Sequence, residues 1–106
     1  MAKKRAVPSL ELNTLEEIKD YLVIKGQAFD EMLMHFSKIA QSYILAQTNK
    51  TDAEVLADER MLHQFEIAHL VLISEMFSNR SYTVDTITLN PIVKSILDFY
   101  SDEYIL

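Results

Sequence analysis

Glu66 and His69 are the two residues of this sequence whose types and spacing best suit a metal site. They lie in the stretch 61–77, where apolar residues recur at helical spacing, so the Glu-x-x-His spacing places both side chains on one helix face. Carboxylate and imidazole groups are both common metal ligands in proteins. The pair therefore predicts one half of a metal-binding site.

Glu31 and His35 are expected at the same level of a helical hairpin as Glu66 and His69. In a dimer, Glu31, Glu66 and His69 of each chain would supply the ligands of a two-metal centre. This arrangement resembles the ferritin-like di-iron proteins, which carry Glu-x-x-His motifs on bundle helices, and the encapsulated ferritins, which are short helical hairpins. The resemblance implies an iron cofactor at a dimer interface.

The same residues also have a purely structural interpretation, in which the chain has no cofactor. Glu31 and His35 are four residues apart on the polar side of their helix, where they would form an exposed pair. His69 lies within an apolar stripe, where a neutral, hydrogen-bonded imidazole is the commoner arrangement. The sequence contains no second Glu-x-x-His motif. We therefore expect no cofactor and keep iron as the alternative.

The composition argues against catalysis and against direct contact with nucleic acid. The 106 residues include no cysteine and one glycine, which leaves no thiol chemistry and no glycine-rich phosphate loop. The formal net charge is −6, and basic residues cluster only at Lys3, Lys4 and Arg5. Binding to a phosphate backbone requires more clustered cations than these. We predict that the chain is not an enzyme and does not bind nucleic acid directly.

Hydrophobic periodicity predicts a first helix over residues 14–47. Its apolar stripe keeps one phase across Gly26, which therefore lies on the stripe. The alternative is a helix that ends at Lys25 with Gly26 as its left-handed cap. The residues of the stripe are Leu15, Ile18, Leu22, Phe29, Met32, Leu33, Phe36, Ile39, Ala40, Tyr43 and Ile44.

A second helix is predicted over residues 52–78, and it forms the core of the fold. Thr51 and Glu54 have the spacing of a capping box at its start. The short turn before it directs the second helix back along the first, so the two form an antiparallel hairpin. Its main apolar stripe comprises Met61, Leu62, Phe65, Ala68, Leu72, Ile73 and Met76.

The C-terminal part of the chain is predicted to contain an extended connector and a short helix. Residues 80–89 are rich in β-branched side chains, which favours an extended backbone. Asn90 and Pro91 are a capping residue and a first-turn proline, so a third helix should cover residues 91–100. Residues 1–12 are expected to form an irregular lead, and residues 13–106 a single helical domain.

The all-α hairpin predicted here has more apolar surface on its second helix than two helices can cover. Leu70, Val71 and Phe77 lie off the main stripe of that helix. Exposed apolar patches of this kind are typical of protein interfaces. We therefore predict a homo-oligomer that completes a helical bundle and acts as an adaptor or regulatory subunit. Without an apolar run of about 20 residues or a secretory signal, we expect a cytoplasmic protein that does not enter the membrane.

Ile96, Phe99 and Tyr100 form a candidate surface for a different protein partner, together with the tail that follows. The segment 96–100 is similar to the apolar and aromatic core of sliding-clamp-binding peptides, with Val93 where those peptides usually carry Gln. Phage small terminase subunits, which are oligomeric hairpins, are similar in predicted architecture. Both resemblances imply an accessory factor of a nucleic-acid machine, in packaging or transcription. The alternative is that an amphipathic helix docks here on its own domain.

Overall fold

The computed structural model describes residues 9–79 and 90–101, and these residues form five α-helices and no strand. The predicted all-α fold class is confirmed. None of the helices in the described ranges is long and apolar enough to cross a membrane. The predicted extended connector at 80–89, most of the lead and the end of the tail lie outside the described residues. The helices are α1 (Leu15–Leu22), α2 (Asp30–Thr48), α3 (Asp52–Ala57), α4 (Glu59–Ser78) and α5 (Pro91–Tyr100).

The predicted single helix over residues 14–47 is wrong, because the chain turns between α1 and α2. Val23 ends α1 in the left-handed region at a φ of 58°, and Gly26 has a φ of 82°. The alternative end at Lys25 also lies too far along the chain. The turn allows α1 to pack against α2 and α4, and it places Ile18 in the core.

The predicted helix over residues 52–78 is divided at Asp58, which has an extended backbone between α3 and α4. The capping box predicted for its start is present: the Thr51 hydroxyl accepts from the Glu54 amide at 3.2 Å, and the Glu54 carboxylate accepts from the Thr51 amide at 2.8 Å. Asp58 begins α4 in a similar way, because its carboxylate accepts from the Met61 amide at 3.1 Å. The division therefore follows from a capping residue inside the apolar pattern.

The core lies where α4 meets α2 and α5. The α4 side chains Met61, Phe65, Ala68, Leu72 and Ile73 are buried, whereas the remaining two members of the predicted stripe are only partly buried. Helix α5 corresponds to the third helix predicted from the sequence and covers the predicted range, residues 91–100. It contacts both α4 and α2. The core residues that α2 and α5 contribute are Leu33, Ala40, Ile44, Val93 and Leu97.

Residues 10–13, here called the N-terminal strap, pack against α2, α3 and α4. Leu10 and Leu12 are buried. The Gln41 side chain of α2 donates to the Leu10 carbonyl at 2.8 Å and accepts from the Leu12 amide at 3.0 Å. Asp52 accepts from the Leu10 amide at 3.2 Å. The strap, α1 and α5 thus cover much of the hairpin that the sequence pattern left open.

Candidate interaction surfaces

His69 is a buried polar residue that joins the strap to two helices. Its Nδ1 lies 2.9 Å from the Asn13 side-chain nitrogen, which also donates to the Glu66 carbonyl at 3.0 Å. Its Nε2 lies 3.0 Å from the Ser37 carbonyl and 3.3 Å from the Ser37 hydroxyl. Since an amide nitrogen can only donate and a carbonyl can only accept, Nδ1 is the acceptor and Nε2 carries the proton.

Burial lowers the pKa of His69 below its ordinary value of 6.5, because a charged imidazole is poorly solvated there; the bond to the Ser37 carbonyl acts in the opposite direction. The imidazole is therefore neutral and fully hydrogen-bonded at neutral pH. Its role in this arrangement is to hold Asn13 of the strap against α4.

The three residues named as possible iron ligands do not form a site within one chain. Glu31 is exposed on α2, while the Glu66 carboxylate lies 3.6 Å from the exposed His63 imidazole. Both nitrogens of His69 are already occupied by protein groups. Within residues 9–79 and 90–101, no group of three or more His, Asp or Glu residues is placed to hold a metal ion. An iron site shared between two chains stays a prediction.

The outward side of α4 carries an apolar strip, here called the α4 strip, formed by Ile67, Leu70 and Val71. Their spacing of three and four residues places them together on the helix surface. Ile67 is 44% exposed, and the other two residues are half-buried. Phe77 is separate from this strip, because its ring packs edge-on against Phe29 with a centroid distance of 5.2 Å. Leu70 and Val71 were among the predicted contact residues. Ile67 was not among them, although it also lies off the main stripe.

The outward side of α5 carries a second apolar surface, here called the α5 surface, formed by Ile92 and Phe99. The two residues are two helical turns apart, and they are 62% and 75% exposed, respectively. Ile92 was not predicted as a site residue. Its signal was its place on the side of the helix opposite to Leu97.

The other two residues predicted for this region, Ile96 and Tyr100, are half-buried against the bundle. Tyr100 packs edge-on against Phe65 at 5.5 Å and against Phe99 at 4.9 Å. Because Val93 is also buried, α5 is docked on its own domain. A clamp-type peptide at these positions would have to leave the bundle, whereas the α5 surface is accessible as it stands.

Comparison with known proteins assigns the chain to a family. No curated protein and no solved structure matches it. The family model described as phage gp6-like head-tail connector protein matches residues 12–99, which extend from the strap almost to the end of α5. The chain therefore belongs to the phage gp6-like head-tail connector family, a family of structural proteins that associate with other phage proteins.

Proposed function

We propose that this chain is a structural subunit at the junction between a phage head and its tail, where several copies act together through protein contacts and without catalysis. The observation that carries this proposal is the family match over residues 12–99. Two exposed apolar surfaces on different helices, the α4 strip and the α5 surface, support it further.

The α4 strip is the surface we assign to contact between copies. Its three aliphatic side chains provide apolar area that becomes buried when two copies meet. The chain carries a net charge of −6, so the general electrostatic interaction between copies is repulsive. Association therefore depends on burial of apolar groups such as Ile67, which is the most exposed member of the strip.

The α5 surface is the one we assign to a different phage protein. Phe99 is a large aromatic residue that is 75% exposed, and it lies at the end of α5 beside a shallow groove. Aromatic side chains of this kind contribute strongly to binding when a partner covers them. The groove is lined by Ala57, Asp58, Glu59, Arg60, Phe99 and Tyr100.

The two assignments are tested by Ile67→Ser and Phe99→Ser, with Met34→Ser as the matched control. Met34 is 38% exposed on α2 and belongs to neither surface. The association of each purified protein is measured by sedimentation velocity, and joining of heads to tails is measured by complementation of a phage that lacks the protein. We expect Ile67→Ser to weaken association roughly tenfold, a loss of about 1.4 kcal/mol.

Phe99→Ser should leave association between copies unchanged and abolish joining of heads to tails. Met34→Ser should change neither measurement. A wild-type protein that remains a monomer at all concentrations and does not restore complementation would contradict the proposed function. Equal effects of Ile67→Ser and Met34→Ser would contradict the assignment of the α4 strip.

A further inference from the structure

Residues 23–29 separate α1 from α2, although the sequence on the two sides keeps one helical phase. Leu15, Ile18 and Leu22 are followed by Phe29 and Leu33 at spacings that are all sums of three and four. If residues 23–29 were helical, α1 and α2 would form one helix of about 50 Å with these side chains on one side. The pattern is thus compatible with a closed turn and with a continuous helix.

The closed turn depends on a residue that is poorly suited to it. Val23 is β-branched, has a φ of 58° and is 80% exposed. The Ile24 amide donates to the Lys19 carbonyl at 2.9 Å, as in the common helix-ending motif in which glycine usually takes the left-handed position. A β-branched residue in that region is strained. A helical backbone would remove the positive φ of both Val23 and Gly26.

The strap and α1 form one unit, and the surfaces that bind this unit belong to α2, α3 and α4, which follow the turn in the chain. Gln41 of α2 and Asp52 of α3 hold the strap, and α4 holds it through the Glu66 carbonyl and His69. The helix α1 packs against α2 and α4. Because none of these surfaces belongs to the unit itself, the strap and α1 of a second copy could make the same contacts.

Side-chain contacts within one chain hold the turn closed. The Lys19 ammonium lies 2.8 Å from the Asp30 carboxylate, and Phe29 packs against Phe77. In a continuous helix, Lys19 and Asp30 would be about 16 Å apart along the axis, so opening breaks their ion pair. The closed form is therefore a balance between these contacts and the strain at Val23.

We propose that, in the assembled connector, residues 23–29 become helical and the strap and α1 of each copy pack on α2, α3 and α4 of a neighbouring copy. This inference rests on the proposed function, in which several copies assemble. A short connection under strain favours exchange of an element between copies. The exchange reuses contacts that exist within the single chain and adds a continuous helix between the copies.

Two substitutions in the turn should shift this exchange in opposite directions. Gly26→Ala adds a methyl group in open space, disfavours the φ of 82° and favours a helix. From the difference in helix propensity, we expect the equilibrium constant for exchange of the strap and α1 between copies to increase roughly fivefold for each chain that opens. The increase is roughly 25-fold when two chains open together. Val23→Gly relaxes the turn and disfavours the helix, so it should reduce exchange. Ala46→Gly, at an exposed position of α2 outside the turn, is the control.

The distance between Glu16 and Lys38 reports directly on the state of the turn. The chain has no cysteine, so spin labels on Glu16→Cys and Lys38→Cys are specific, and dilution with unlabelled protein isolates the distance within one chain. Both positions are exposed. In the closed form the labels should lie within about 20 Å, since packed helices are 8–10 Å apart. In a continuous helix they should lie about 33 Å apart.

The proposal predicts a distance of about 33 Å in the assembled wild-type protein and a larger share of this distance in Gly26→Ala than in Ala46→Gly. An assembly that keeps the short distance would overturn the exchange and leave the proposed function intact. Gly26→Ala protein that neither associates more strongly nor shows the long distance would also overturn it. A wild-type chain that never assembles, as measured by its sedimentation mass, would contradict both proposals.

Discussion

The two breaks in the helical pattern, at Val23 and at Asp58, have different physical origins. Asp58 has an extended backbone, and its carboxylate caps the α4 amide of Met61, so the residue suits the break that it makes. Val23 has a left-handed backbone that its branched side chain disfavours, and it is exposed. The break between α3 and α4 is therefore encoded locally, whereas the break between α1 and α2 is imposed by contacts of α1 with the bundle.

Truncation of Ile18, the buried residue of α1, should have the largest effect on the difference between the two breaks. Ile18→Ala removes a fully buried side chain, which should lower the free energy of unfolding by about 2–5 kcal/mol. Chemical denaturation measures this loss. Hydrogen exchange should then accelerate over α1 and the strap and remain slow over α3 and α4. Uniform acceleration in all four elements would mean that the α1–α2 turn is no more dependent on tertiary contacts than the α3–α4 break.

Acid should destabilise the packing of the strap through His69. Because the pKa of His69 is lowered in the folded chain, the unfolded chain binds the proton more readily. The stability that neutral His69 contributes is therefore fully present above pH 6.5 and is lost as the pH falls below that value. Protonated Nδ1 would face the donating Asn13 amide, a mismatch worth roughly 1–3 kcal/mol. Thermal melting between pH 7 and pH 5 measures the loss.

The side chains that are hydrogen-bonded to His69 are those of Asn13 and Ser37, and both are uncharged. Asn13→Asp should reverse the trend, because a carboxylate would favour the protonated imidazole. His63→Gln serves as the control and should retain the loss of stability at low pH. An Asn13→Asp protein with the wild-type pH profile would refute the role of the Asn13–His69 contact.

Asp58→Ala tests the break that we regard as locally encoded. Loss of the cap should cost about 1 kcal/mol and should allow α3 and α4 to join into one helix. Denaturation gives the energy, and the amide chemical shifts of residues 57–60 show whether the break persists. A sharp break in the Asp58→Ala protein would show that tertiary contacts impose this junction as well.

Removal of the ion pair across the α1–α2 turn should have the smallest effect. Lys19→Ala leaves the partly exposed Asp30 without its ammonium partner, which should cost less than about 1 kcal/mol. The loss should diminish at high salt, because the pair is screened. Lys94→Ala, which removes an exposed pair within α5, is the control and should leave the α1–α2 turn unchanged. If both variants changed the rate of amide hydrogen exchange at residues 23–29 equally, a specific role of Lys19 in the turn would be excluded.

Much of the fold could be predicted from periodicity and capping residues. The Thr51 capping box, the burial of Phe65 and the start of the last helix at Pro91 all follow from short-range patterns. A break in this segment was predicted only as an alternative, with Gly26 as the cap. Its position at Val23 could not be predicted, because no local signal places a β-branched residue in the left-handed region. Its cause is long-range packing of α1, which periodicity does not encode.

The predicted contact residues differ in how far they are exposed. Phe99 is exposed, while Tyr100 and Phe77 pack on aromatic partners within the chain. A helical wheel shows which apolar residues share a side, and it does not show which other part of the chain covers that side. The strap, whose Leu12 is buried, covers area that the sequence pattern left open.

Hydrogen exchange of the wild-type protein, compared before and after assembly, distinguishes a retained turn from a continuous helix. We expect the amides of residues 25–29 to exchange rapidly in the single chain and to become protected as a helix in the assembled connector. The amides around Asp58 should exchange at the same rate in both states. Amides of residues 25–29 that remain unprotected in the assembly would show that the turn persists and that no continuous helix forms.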